Sequence, residues 1–170
     1  MTYDAIAHLR DLSATAAKAA DTLGASIEKA RALVQATVDR GGTLFFCGNG
    51  GSAADAQHLA TEYVVRYQRE RRAIAAIALT TDTSLLTAAA NDYSFDLVFA
   101  RQVEALGKKG DLLVLHTTSG KSPNLIKAAE AAKARGVATL ALSAKGGGPL
   151  ASVVDHCIVI PRSEEHTSEL

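Results

Sequence analysis

The sequence is short of three things that would have placed it elsewhere. Only two cysteines occur in 170 residues, Cys47 and Cys157, and each sits inside an apolar, strand-like run. That spacing excludes a disulfide framework and predicts buried free thiols in a reducing compartment. Neither charge is in excess: Lys+Arg and Asp+Glu both number 18, and no segment gathers basic residues. A nucleic-acid groove and an anionic membrane surface are excluded on that ground, so neither nucleic acid nor membrane is expected as a partner. Finally, no apolar run approaches the roughly 20 residues of a membrane span. The N-terminal stretch mixes acids with evenly spread apolar residues, unlike a charged-then-apolar signal peptide. Together these features predict a cytoplasmic protein.

What is present is 48% apolar sequence, enough for one domain around one core. Residues 4–40 carry Ile6, Leu9, Leu12, Ala16, Ala20, Leu23, Ile27, Ala30 and Val34 at spacings of three or four, the period of a helix. Gly24 is a candidate break. The stripe is apolar along its length and fits packing against another subunit or against the chain's own sheet. Gly41-Gly42 then stops the helix. Beyond it, short apolar strands (43–47, 74–79, 111–116, 137–142, 156–160) alternate with helices (53–67, 83–90, 95–106, 123–136). A turn is expected at Asn91-Asp92, and Pro123 suits the first position of its helix. This alternation predicts an α/β fold, a five-stranded parallel sheet flanked by helices and preceded by an N-terminal helical extension. The expected organisation is a single domain over 1–161, with the extension in 1–40 and the α/β core in 41–161.

In such sheets ligands sit beyond the carboxyl ends of the strands, and two small-residue loops fall there. Gly48-Asn49-Gly50-Gly51-Ser52 offers backbone N–H groups that can approach an anion closely. It also leads into a helix N-terminus, which Ser52 is placed to cap. Thr117, Thr118, Ser119 and Ser122 supply four hydroxyls in six residues before the next helix, suitable donors for phosphate oxygens. The rival reading is a dinucleotide fingerprint, Gly48-x-Gly50-x-x-Ala53. It requires an acid closing the second strand about 20 residues on. Glu70 precedes that strand and Asp82 lies too far along.

His58 and Glu62 are four apart on the helix leaving the first loop, hence on one face. Three readings are open: two ligands of a divalent metal such as zinc, Glu62 as a general base beside a bound sugar, or a solvated surface pair. Asp92 could reach substrate hydroxyls or stabilise its turn. His8 is expected to face solvent and His116 to end a strand.

Cys47 through Ser52, then Asp55, His58 and Glu62, Asn91-Asp92, and Thr118-Ser119-Gly120 with Ser122 together resemble the sugar isomerase (SIS) domain family, and within it the phosphoheptose isomerases. The similarity covers about residues 4–161. It implies a flavodoxin-like three-layer sandwich and a homotetramer of lipopolysaccharide heptose biosynthesis. The implied reaction converts sedoheptulose 7-phosphate to D-glycero-D-manno-heptose 7-phosphate through an enediolate. By the same resemblance Asn49, Gly50, Gly51, Ser52, Glu62, Asn91 and Asp92 contact substrate, and Thr117, Thr118, Ser119 and Ser122 hold its phosphate. His58 and Glu62 bind zinc, and Glu62 is also the catalytic base. Two alternatives are a non-catalytic paralogue that binds the replication initiator and a domain that only senses a phosphosugar. Retention of Gly51 and Glu62 favours the enzyme.

The resemblance also implies a helix after the fifth strand bearing a Gln and a His that complete the zinc site. Here the residues after Pro161, Arg-Ser-Glu-Glu-His-Thr-Ser-Glu-Leu, spell the in-frame translation of a common sequencing-adapter DNA. Residues 162–170 are therefore expected to be a non-native tail, and the literal chain is expected to be impaired in turnover and solubility.

Overall fold

Runs of apolar residues buried on both faces make the centre of a parallel sheet. Two such runs here, β1 (Leu44–Gly48) and β3 (Leu112–His116), are buried at every position. The structure, a computed structural model, describes residues 4–162. Its sheet has five parallel strands in the order β2-β1-β3-β4-β5, completed by β2 (Ala76–Ala78), β4 (Ala138–Ser143) and β5 (His156–Val159). Alternate side chains go to opposite faces. Leu44, Phe46, Leu112 and Val114 belong to one core, and Phe45, Cys47, Leu113 and Leu115 to the other.

The first core is closed by α2 (Gly24–Asp39) and α3 (Gly51–Val64), through Ala30, Leu33, Val34, Ala56, Ala60 and Tyr63. The second is closed by α4 (Thr83–Asp92), α5 (Ala100–Leu106) and α6 (Pro123–Arg135), through Ala89, Val103, Leu125 and Ala128. Fully burying one of the larger aliphatic side chains contributes about 1.5–3 kcal/mol, and the sheet holds many. Helix ends follow their sequence signals. Asp82 caps α4 through Leu85 N, while α6 starts at Pro123 and stops at Gly136, which is left-handed at φ 69°.

The amino side of the sheet is fastened by two carboxylates. Asp111, 1% exposed, accepts from Thr43 N and Lys108 N, and Asp155 accepts from Thr139 N and its hydroxyl.

Several expectations change. The N-terminal helix does break beside Gly24, at Leu23, but its two parts differ in packing. α2 lies on the chain's own sheet, whereas α1 (Ala5–Thr22) buries none of its residues and leaves Ile6, Leu9 and Leu12 exposed. Asn91 and Asp92 are the last residues of α4 rather than a turn. The segment expected as one helix over 95–106 is a 3-10 turn at Phe95–Leu97 followed by the short α5. Cys47 is buried as expected, and burial pushes its thiol pKa well up; Cys157 is only half-buried. Of the tail, only Arg162 lies within the described residues; its guanidinium pairs with Asp11.

Candidate active site

The chain leaves β1 and crosses to β2 on one side, while β3 lies on the other. Strand order therefore reverses between β1 and β3, and a crevice opens at their carboxyl ends. Both small-residue loops leave from these two strands, β1 and β3, whose last residues Gly48 and His116 are register partners. Gly48 allows the turn: a Cβ there would stand 2.6 Å from Ser52 O. The chain can thus fold back at once into α3.

A reciprocal amide pair locks the loops together. Asn49 Nδ2 donates to Asn124 Oδ1 at 3.0 Å, and Asn124 Nδ2 donates to Asn49 Oδ1 at 2.8 Å. Asn124 was not singled out in the sequence. A polar residue at the second position of α6 reads as a helix surface, and its only hint is the poor helix propensity of Asn. Asn124→Ala leaves Asn49 unpaired in a part-buried place and should cost about 1–3 kcal/mol. Denaturant titration checks this, and Asn49→Ala added to it should restore part of the loss.

Around this pair, Asn49, Ser52, His116, Thr117, Thr118, Ser119, Ser122 and Leu125 line a cavity of about 250 Å³. It gathers the expected hydroxyls of both loops in one place. Thr117 Oγ1 accepts from Gly120 N at 3.1 Å and shapes the second loop. Ser52, Thr118 and Ser122 make no side-chain hydrogen bond to other described residues, so their hydroxyls are free to serve a ligand. Ser52 does not cap α3 as expected, because Gly50 at φ 57° takes the cap position and Ser52 becomes the helix's second residue. Ser122 stands at the cap of α6 without capping it through its side chain. Gly50 and Gly51 form the turn into α3.

His58 and Glu62 lie further along α3 and line a separate cavity of about 490 Å³ with Leu59, Tyr63, Tyr67 and Arg71. His58 Nε2 is 3.7 Å from Glu62 Oε1, and Glu62 Oε2 is buried with no hydrogen-bond partner among the described residues. Arg71, missed in the sequence, does not neutralise Glu62. Its guanidinium donates instead to the backbone carbonyls of Glu62, Tyr63 and Arg72, satisfying carbonyls at the end of α3. Burial raises the Tyr63 pKa, and Arg71 opposes the rise. Asn91 and Asp92 join neither cavity; Asn91 Nδ2 donates to Asp92 Oδ1 at 2.8 Å at the exposed end of α4. His8 is half-buried rather than solvent-facing, and His116, a strand end as expected, is buried. The dinucleotide rival still lacks its acid, since Asp82 is occupied in capping α4.

Comparison with known proteins agrees with this fold. The family model described as SIS domain matches residues 7–144. A phosphoheptose isomerase of Nitratidesulfovibrio vulgaris is 59% identical over 70% of this chain and 57% of its own length, so that match spans little more than half of the relative. One of Campylobacter jejuni is 50% identical over 87% of this chain and 80% of its own. The solved phosphoheptose isomerase of Neisseria gonorrhoeae superposes with a TM-score of 0.87 at 41% identity, over 92% of this chain and 84% of that one. The chain belongs to the SIS-domain family and groups there with the phosphoheptose isomerases.

Proposed function

We propose that the chain is a cytoplasmic aldose–ketose isomerase that interconverts sedoheptulose 7-phosphate and D-glycero-D-manno-heptose 7-phosphate. The observation that carries this reading is one stripe of α3. Ser52, Asp55, Leu59 and Glu62 follow at spacings of three and four and share a face. The stripe begins in the hydroxyl cavity and ends at the carboxylate with an unpartnered oxygen. Ten residues of helix span about 15 Å, so a bound sugar must bridge the separate cavities at which the stripe begins and ends. A phosphate seated among Ser52, Thr117, Thr118, Ser119 and Ser122 leaves the far end of a long, open-chain sugar near Glu62. A triose phosphate would fall short.

In this reading the hydroxyls and the two helix N-termini hold the phosphate. Asn49, Gly50, Gly51, Asn91 and Asp92 contact the sugar. Glu62 takes the proton from C1 of the ketose and returns it to C2, while the hydroxyl proton passes from O1 to O2. Zinc fits the residues present. His with carboxylate is a suitable donor pair, His58 Nε2 and Glu62 Oε1 stand 3.7 Å apart, and Glu62 Oε2 has no hydrogen-bond partner among the described residues. When bound it supplies Lewis-acid polarisation of the substrate oxygen. The described residues contain no group of three or more His, Cys, Asp or Glu that could hold a metal, so a zinc here would need ligands beyond these two. The exposed stripe of α1 supports assembly of copies, which we place as a homotetramer.

The test uses the full-length product of the source gene, sequenced past the codon for Pro161. Incubated with sedoheptulose 7-phosphate and followed by NMR, it should form the aldose, lose the activity to a chelator and regain it with zinc. Phosphosugar binding without turnover would replace the isomerase by a sensing domain.

A further inference from the structure

His116 ends β3 on the face that carries Leu112 and Val114, and it is 6% exposed. Its Nε2 is buried and has no hydrogen-bond partner among the described residues. The ring lies 6.2 Å from that of Phe46. Burial lowers its pKa, which Asp55 of α3 partly offsets, so its place in the fold favours the neutral ring. A buried polar atom without a partner costs about 1–3 kcal/mol. Packing alone would not demand it, since the other β3 residues are Leu and Val.

Its position gives the reason. The hydroxyl cavity is adjoined by a second, also about 250 Å³, lined by residues that include Asp55, Leu142 and Ser143. Ser52, His116, Thr117 and Thr118 border both. Among these four only His116 is titratable, and it alone is buried. We infer that His116 is a further substrate-binding residue, whose Nε2–H donates a hydrogen bond to a phosphate oxygen held in the cradle. A dianion meeting a ring N–H makes a charge-assisted bond, which gives the nitrogen the partner it lacks among the described residues. The inference rests on the phosphate-binding part of the isomerase reading and not on its chemistry.

Inorganic phosphate is the probe, titrated into the ¹⁵N-labelled full-length product and followed by NMR. The His116 Nε2 resonance should move with the same saturation as the amides of Thr118 and Ser119. His116→Leu should weaken phosphate binding about tenfold. It should raise KM for the phosphosugar in proportion, with kcat held within about twofold. His116→Gln, which keeps an N–H close to the Nε2 position, should recover most of the affinity. Loop amides that move while Nε2 stays still, or unchanged affinity in His116→Leu, would overturn the inference and leave the isomerase standing. If no loop amide responds, the cradle itself fails and the inference falls with it. The wild-type titration decides even if the leucine variant does not fold.

Discussion

Glu62→Gln should lower kcat about a thousandfold, within the range that a general base contributes, while the protein stays folded and still binds phosphate. The amide keeps the shape of the side chain and its place on α3 but cannot take up a proton. Stability is the informative companion. Glu62 Oε2 is buried without a hydrogen-bond partner among the described residues, and the exposed His58 stands 3.7 Å from the other oxygen, Oε1. In the zinc-free protein a carboxylate held so costs free energy, so removing its charge should leave the melting temperature there unchanged or raise it, whereas the zinc-loaded protein should lose stability with the ligand. Lost turnover with kept or raised stability marks a group retained for chemistry. Turnover within a fewfold of wild type would place the base elsewhere.

Gly120→Ala should be the most damaging single change in the cradle. Gly120 has φ +64°, and a Cβ there would stand 1.8 Å from Gly147 O and 2.5 Å from Gly147 C. Both atoms are backbone and cannot rotate away. Left-handed strain of about 1–2 kcal/mol and overpacking of about 1–3 kcal/mol together predict a loss near 3 kcal/mol. The hydroxyl loop should shift and phosphate affinity should fall with it. Gly146→Ala is the control: its φ is +77° but a Cβ would meet nothing within 4 Å, so it should show only the backbone strain. Urea denaturation and phosphate titration of the two variants separate crowding from strain. Equal losses would mean that the crossing of the two loops is not tight.

The fold was legible because its signals are local and repeated. The runs Leu44–Cys47 and Leu112–Leu115 alternate between two cores, so they had to be apolar throughout, and Pro123 and Gly136 bracket α6. The hydroxyl loops were legible for the same reason, each being a short polar cluster at a strand end. What stayed hidden depends on partners distant in sequence. Asn124 meets Asn49 across 75 positions, and His116 becomes an orphan only once α3 and Phe46 close over it. Asn91-Asp92 misled as a turn because Asn and Asp favour turns intrinsically, whereas the packing of Ala89 and Leu86 carries α4 through them. Ser52 misled as a cap because Gly50, with its positive φ, starts the helix earlier.

The carboxylates Asp111, which is buried, and Asp155, which is exposed, sit at the amino edge of the sheet, and the hydroxyl loops sit at its carboxyl edge. The chain thus divides its obligations between opposite edges. Substitutions among Thr117, Thr118, Ser119 and Ser122 can alter which phosphorylated compound is held without loosening the fastenings that keep the strands in register. A lineage built on this plan can drift in specificity while its framework is conserved, because the mutations that explore new ligands are not the ones that unfold it.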